Sequence, residues 1–415
     1  MTRKSLMTPP DAASINDARR NSEPAQTGPW LIRRVLAQLA CGRLTVILPS
    51  GRTIAHIGTL PGPHGVMKLH NHRAFRRLLT RGDVGFAEGY IAGDWTSPDL
   101  AALIAMAAHN VARLDRILEG FAPVRWWRRL SHALKRNSAK GSRRNILFHY
   151  DLGNAFYRLW LDDSMTYSSA CRIETGQSLE AAQQDKLARI VQLLDLEEGS
   201  QVLEIGCGWK ALATRIAGLG ACVKGLTLSS EQLVYASRHA AEVGLADRVD
   251  LRFQDYREEI ARYDRIVSIE MLEAVGEAYW PVYFEQLARC IRPDGRVVLQ
   301  AITIRQDRFA SYKRNPDFIQ RYIFPGGMLP TIDMLKQQAE HAGFAVIGEE
   351  RFAEGYADTL AIWRERFEAA WPQIAALGFD NQFRRLWTYY LSYCEAGFRS
   401  GTIDVGLYVL EPLRR

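Results

Sequence analysis

Glu204-Ile205-Gly206-Cys207-Gly208-Trp209 sets an acid and two glycines into one short stretch of chain. The apolar residues before it read as a buried strand, Gln201–Ile205, and those after it as a helix from about Lys210 to Leu219. Glycine at 206 and 208 lets the backbone bend sharply and lets a ligand approach without a Cβ in the way. The following helix points free N–H groups and a positive dipole end at that ligand. A nucleotide cofactor at the carboxyl end of a parallel strand has this shape. The signal is not specific, because Gly-x-Gly after a strand occurs in NAD sites, in S-adenosylmethionine sites and in plain tight turns. The dinucleotide pattern needs a third glycine; Ala211 stands there, which disfavours NAD and FAD.

The elements that must position this turn follow from it. From residue 201 onward, strands alternate with helices: Gln201–Ile205, Cys222–Leu228, Val249–Phe253, Tyr263–Ile269, Gly295–Ile302, Phe344–Glu349 and Gly406–Leu410. That alternation argues for an α/β fold, a Rossmann-like doubly wound seven-stranded sheet that is mostly parallel. The last strand follows a long insertion, which permits an antiparallel orientation. Ser178 caps a helix through Leu194 with Glu180 in its first turn, and Ser229 or Ser230 opens another through Val243. In such a sheet the second strand often ends in an acid for a ribose diol; Gly225-Leu226-Thr227-Leu228-Ser229 has none, so Thr227 and Gln232 would supply the polar contacts. Asp255, after Gln254 at the end of the third strand, is placed to meet an adenine amino group, or to cap the strand end.

At 415 residues the chain should hold two or more domains. With 47% hydrophobic and 24% charged residues it reads as an ordinary globular protein. A net charge of +7 favours an anionic partner: nucleic acid, an anionic lipid surface or an acidic substrate. The six cysteines show no CxxC and no Cys/His ligand spacing, so no metal is indicated and a reducing, cytoplasmic setting fits. No apolar run reaches the roughly 18 residues of a membrane span.

Four divisions are expected. Residues 1–28 read as a disordered leader and 29–120 as a smaller N-terminal α+β accessory domain, with a hairpin at Arg43–Leu48 and Thr53–Ile57 and glycines between 82 and 93 that mark turns. Residues 121–148 read as a basic linker, and 149–415 as the catalytic domain. Arg125, Arg128, Arg129, Lys135, Arg136, Lys140, Arg143 and Arg144 flank Trp126 and Trp127 with no acid among them. That composition suits either anionic headgroups or a solvated linker.

The Glu-x-Gly-x-Gly turn resembles the first motif of class I S-adenosylmethionine-dependent methyltransferases. His149-Tyr150-Asp151-Leu152-Gly153-Asn154, Met165-x-Tyr167-Ser168, Gln254-Asp255-Tyr256-Arg257, Glu270-Met271-Leu272-Glu273-x-Val275-Gly276 and Tyr322-Ile323-Phe324-Pro325-Gly326-Gly327 resemble the cyclopropane-fatty-acyl-phospholipid synthase family. So do Gly85-Phe86-x-Glu88-x-Tyr90 and Gly93-Asp94-Trp95. The resemblance runs from about residue 30 to 412. It implies methyl transfer from S-adenosylmethionine to the cis double bond of an unsaturated phospholipid acyl chain, forming a cyclopropane, or, as the alternative, a methyl-branched or methylene chain. It places cofactor contacts on Tyr167, Ser168, Glu204, Gly206, Gly208, Thr227, Leu228, Gln232, Gln254, Asp255 and Ile269. It also implies a bicarbonate base held by Ser169, Glu273, Gln300, Ile302 and Tyr356. Ser169 stands where the family's best-known members have Cys, Gln300 where they have His, Ala274 where His is frequent, and Lys210 where Gly is usual.

The partners so implied are unsaturated phospholipids at the inner face of the cell membrane, with peripheral association. A homodimer and a downstream oxidoreductase are further candidates. Nucleic acid is not expected, since Ile269-Glu270-Met271-Leu272 lacks a base-handling motif. An inactive lipid- or cofactor-binding protein is the other rival.

Overall fold

A computed structural model describes residues 36–111, 113–114 and 152–413. The chain divides into two compact units, Met1–Trp126 and Trp127–Arg415. The leader and the basic segment lie outside the described residues, as does His149-Tyr150-Asp151.

In the first unit four strands, β1 (Cys41–Ile47), β2 (Thr53–Ile57), β3 (Leu60–Leu69) and β4 (Trp95–Thr96), form a sheet in the order β2-β1-β3-β4. The expected hairpin is β1–β2. Strand β3 is not evident in the sequence, because Pro61, Gly62, Pro63 and Gly65 read as loop chemistry. The glycines admit close approach: a Cβ on Gly65 would lie 2.7 Å from Leu103 Cδ1, and one on Gly62 would lie 2.5 Å from Cys41 Sγ. The glycines at 85 and 89 do not mark turns; they lie within Arg73–Ile91, where the helical path breaks at Gly82 (φ 62°), the one of the three that marks a bend. A Cβ on Gly85 would sit 2.0 Å from Arg77 O, so glycine is what the kink requires there. Asp99 caps the helix Leu100–His109 by accepting from Ala102 N at 2.9 Å.

The second unit holds β5 (Gln201–Ile205), β6 (Cys222–Thr227), β7 (Val249–Phe253), β8 (Tyr263–Ile269), β9 (Ile291–Ile304), β10 (Phe344–Arg351) and β11 (Ile403–Pro412). Their order is β10-β11-β9-β8-β5-β6-β7. Strands β5 to β9 are mutually parallel, and β11 runs antiparallel between β9 and β10. Strand β9 starts four residues before the expected Gly295, behind the turn-like Pro293-Asp294-Gly295, where a register shift on β8 admits it.

Successive strand residues feed opposite faces. Leu203 and Ile205 join one core with Tyr283, Phe284, Leu287 and Leu335. Val202, Val223, Val267 and Val298 join the other, with Leu187, Ile190, Leu212 and Ile216. The expected caps hold: Ser178 accepts from Ala181 N at 3.2 Å, and Ser229 from Gln232 N at 3.3 Å. The insertion before β11 folds as helices, chiefly Ala353–Ala369 and Asn381–Arg399.

The first of these helices presses on the segment Tyr167–Cys171. A Cβ on Gly355 would meet Cys171 O at 2.2 Å and Ala170 O at 2.8 Å, both backbone atoms. Gly355→Ala is therefore expected to lower stability by about 1–3 kcal/mol, read as a lower urea midpoint with an unchanged slope.

Candidate active site

The carboxyl ends of β5 and β8 carry the site. After Ile205 the chain turns at Gly206 (φ 84°), and Gly206 N and Cys207 N donate to Leu226 O at 2.9 and 3.0 Å. A Cβ on Gly206 would lie 2.5 Å from Met271 Sδ. Gly208 (φ 55°) is different: a Cβ there would meet nothing within 4 Å. Open space thus faces the bend just before the helix Ala211–Gly218. Lys210 is the N-cap of that helix with φ 150°, a conformation that glycine adopts and lysine resists. Its Nζ lies 3.3 Å from His239 Nδ1, on the helix Ser230–Glu242.

Glu204 is 3% exposed, its Oε2 has no partner among the described residues, and burial pushes its carboxyl up to about 8. A ligand that brings a cationic donor would relieve this. At the end of β6, Thr227 Oγ1 donates to Gln232 Oε1 at 2.9 Å and accepts from Ser229 N at 3.1 Å; half-buried Leu228 lies between them. At the end of β7, Gln254 N donates to Thr227 O at 3.2 Å. Asp255 caps the turn Tyr256–Glu258 and holds Arg257, with Nη2 2.5 Å from Oδ2. The strand-end cap is thus present. Trp209 Nε1 donates to Asn154 Oδ1 at 2.6 Å, tying the Leu152-Gly153-Asn154 motif to the turn.

At the end of β8, Ile269 lies opposite Gln300 of β9, and Glu270 follows with φ 52°. That strained backbone turns its carboxylate onto three donors. Oε1 accepts from Ser169 N at 3.1 Å and from Gln300 Nε2 at 2.7 Å, and Oε2 accepts from Tyr356 OH at 2.7 Å. Gln300 Nε2 also donates to Ser169 Oγ at 3.0 Å. Burial raises the Glu270 pKa, opposed by the Tyr356 hydroxyl, the Ser169 N–H and the nearby Lys186 ammonium.

Three of the five expected anion ligands therefore come together, but on a side chain. Glu273 shares no hydrogen bond with them: Oε1 accepts from Ile302 N, and Oε2 is sealed from solvent without a partner among the described residues. Burial, and then the neighbouring Glu270 carboxyl, push its carboxyl up to about 8, toward the protonated form. A bicarbonate ion does not fit this arrangement. The donors it would need, Ser169 N, Gln300 Nε2 and Tyr356 OH, are already on Glu270.

Tyr167 OH lies 2.9 Å from Tyr390 OH, within an aromatic wall that includes Trp160 and Trp363. Ser168 is clamped from the helix Leu179–Leu194: Lys186 Nζ donates to its Oγ at 2.7 Å, and Gln183 Nε2 to its O at 2.8 Å. Sequence reasoning gives neither Glu270 nor Lys186 a role: Glu270 enters only as part of a motif, and Lys186 lies in a helix, Leu179–Leu194, that carries none. Among the described residues, no His/Cys/Asp/Glu group could hold a metal, and no helix is long and apolar enough to cross a membrane.

The strand order and the glycine turn define a class I methyltransferase. The family model described as mycolic acid cyclopropane synthetase matches residues 137–407. The tuberculostearic acid methyltransferase UfaA1 of Mycobacterium tuberculosis is 40% identical over 344 residues, 81% of this chain and 80% of that protein. The cyclopropane-fatty-acyl-phospholipid synthase of Escherichia coli is 34% identical over 369 residues, 88% and 91% of the two chains. The solved mycolic acid cyclopropane synthase CmaA1, complexed with SAH and CTAB, superposes with a TM-score of 0.61 at 30% identity, over 65% of this chain and 97% of that one. The chain belongs to the mycolic acid cyclopropane synthetase family, and with it to the S-adenosylmethionine-dependent methyltransferases.

Two outcomes test this geometry in the free protein. Glu204 has its pKa raised from 4.5 to about 8, so its contribution to stability is fully present below pH 4.5 and is lost as pH rises through 8. Glu204→Gln should match the parent below pH 4.5 and melt at higher temperature than it as the pH approaches 8. Lys210→Gly should raise stability by about 1 kcal/mol through release of the strained backbone, measured by urea unfolding.

Proposed function

We propose that this chain transfers a methyl group from S-adenosylmethionine to the cis double bond of an unsaturated acyl chain in a membrane phospholipid. We further propose that the product leaves without ring closure, as a methylene that an oxidoreductase partner reduces to a methyl branch. The observation that carries the second half is Glu270, whose carboxylate holds the Ser169, Gln300 and Tyr356 donors together.

The cofactor's fit rests on the open space at Gly208 and the unpartnered Glu204 Oε2. Gly206 and Gly208 would let it lie against backbone, and Glu204 would meet its ammonium. Thr227, Leu228 and Gln232 would bound the ribose, with Gln254, Asp255 and Ile269 toward the base and Tyr167 and Ser168 closing over the sulfonium. When bound, S-adenosylmethionine supplies an electrophilic methyl and departs as a neutral thioether.

An alkene is a weak nucleophile, so positioning in a dry site supplies most of the rate. The buried Trp160 and Trp363 exclude water, and their faces, with that of Tyr167, attract a cation. Methyl addition leaves a positive charge on the adjacent acyl carbon. The Glu270 carboxylate stabilises that charge electrostatically. Ring closure follows when the methyl loses a proton while the charge is on the neighbouring acyl carbon. In the proposed route a hydride shifts between the two acyl carbons first and moves the charge to the carbon that bears the methyl. The proton that then leaves the methyl goes to Glu270, and its C–H pair becomes a C=CH₂ double bond on the chain. The partner's hydride and a proton complete the branch. The protonated form of Glu273 keeps a second negative charge out of the site.

The 40% identity to a tuberculostearic acid methyltransferase supports this reading. Cyclopropane formation is the second reading, favoured by Glu273, Ile302 and Tyr356 standing in the order that the resemblance requires. The basic segment 121–148 between accessory residues 29–120 and catalytic residues 149–415 supports peripheral contact with anionic lipid.

The test incubates the protein with methyl-labelled S-adenosylmethionine and unsaturated phospholipid vesicles. The acyl chain should gain one CH₂, with protons of a C=CH₂ group on the chain and no ring signals by NMR. Ring signals would overturn the second half alone, and unaltered lipid would overturn the whole. Glu270→Ala should lose about a hundredfold or more in rate, partly restored by formate, which the remaining Ser169, Gln300 and Tyr356 donors can hold.

A further inference from the structure

Among the described residues Lys186 is the one buried lysine or arginine, at 1% exposure. Its ammonium donates to Ser168 Oγ at 2.7 Å, and the next residue, Ser169, donates its N–H to Glu270 Oε1 at 3.1 Å. A cation and a carboxylate thus grip consecutive residues of one segment. A buried ammonium is strongly disfavoured without an opposite charge. Burial does lower the Lys186 pKa to about 8, opposed by Glu270, Cys171 and Asp162 in that order.

Two of these three are accounted for. Burial pushes the Cys171 thiol up to about 11, so it is neutral. Asp162 already accepts from Ser164 N at 3.0 Å and Thr166 N at 3.2 Å. Glu270 is what remains opposite the ammonium, and the other titratable groups facing that carboxylate among the described residues are Tyr356, Glu273 and Cys394, whose thiol burial keeps neutral.

We propose that Lys186 is a positioning residue for methyl transfer: it supplies the buried positive charge opposite Glu270 and holds the Tyr167–Ala170 segment through which that carboxylate is hydrogen-bonded. This rests on Glu270 being the anion of the site. Without the ammonium, Glu270 holds its proton to higher pH, and a neutral carboxyl neither steadies a cation nor accepts its proton.

The test is the pH profile of methyl transfer to unsaturated phospholipid vesicles, with kcat and lipid KM separated. In Lys186→Met, kcat at pH 7 should fall about tenfold or more with little change in KM. The acid limb of the profile should move up by about one pH unit or more, because an opposite charge lowers a carboxyl pKa by about that much. Lys186→Gln, which keeps a donor for Ser168, gives the same readout if the Met variant does not fold. Ser168→Ala breaks the hydrogen bond but keeps the charge, and should leave the limb in place. An unmoved limb in both Lys186 variants overturns the proposal, as does an equal shift in Ser168→Ala. Glu270→Gln separates the two readings. Full activity there brings down the parent reading; an inactive Glu270→Gln beside an unmoved Lys186 limb brings down this inference alone.

Discussion

Placing two carboxyl groups three residues apart in one dry site is the constraint on which the rest depends. Glu270 and Glu273 cannot both be charged at low dielectric. The chain separates them by environment. Glu270 receives an N–H, an amide and a phenol, while Glu273 receives one backbone N–H and is pushed toward its protonated form. Three distant parts of the sequence supply those donors: the segment before the helix Leu179–Leu194, strand β9, and the helical insertion ahead of β11. The position of each of these parts is thereby tied to one carboxylate.

Much of this was legible beforehand. Short apolar runs set between helical stretches mark the strands of the main sheet, because its parallel strands are buried on both faces. The glycine turn was legible because only glycine takes those dihedrals at no cost. Strand β3 and the kinked helix Arg73–Ile91 were not, because close packing put glycine and proline where propensity reads loop. Glu270 was hidden for another reason. Its role depends on a left-handed backbone at one residue and on partners 101, 30 and 86 positions away, and no local pattern carries either. Ser169, Gln300 and Tyr356 were identified through resemblance as ligands of a free anion. The residues are adjacent as expected, but what they surround is part of the chain itself.

That substitution changes what kind of site this is. A captured ion can be exchanged, titrated out or competed away, whereas a side chain is present in every molecule at one orientation. With Glu270 as the proposed base, the chain gives up adaptability and gains independence from the supply of a small solute.

Strand β11 comes last along the described chain yet lies inside the sheet, between β9 and β10. The sheet therefore cannot be laid down in order of synthesis. Until residues 403–412 emerge, β9 and β10 each present an open edge to whatever strand is nearby, and the donors from the preceding insertion lack their final anchor. A ribosome-bound intermediate would be inert and adhesive at once, so a pause or premature stop upstream of residue 403 exposes this enzyme to chaperone capture or aggregation more than a comparable delay earlier in the message.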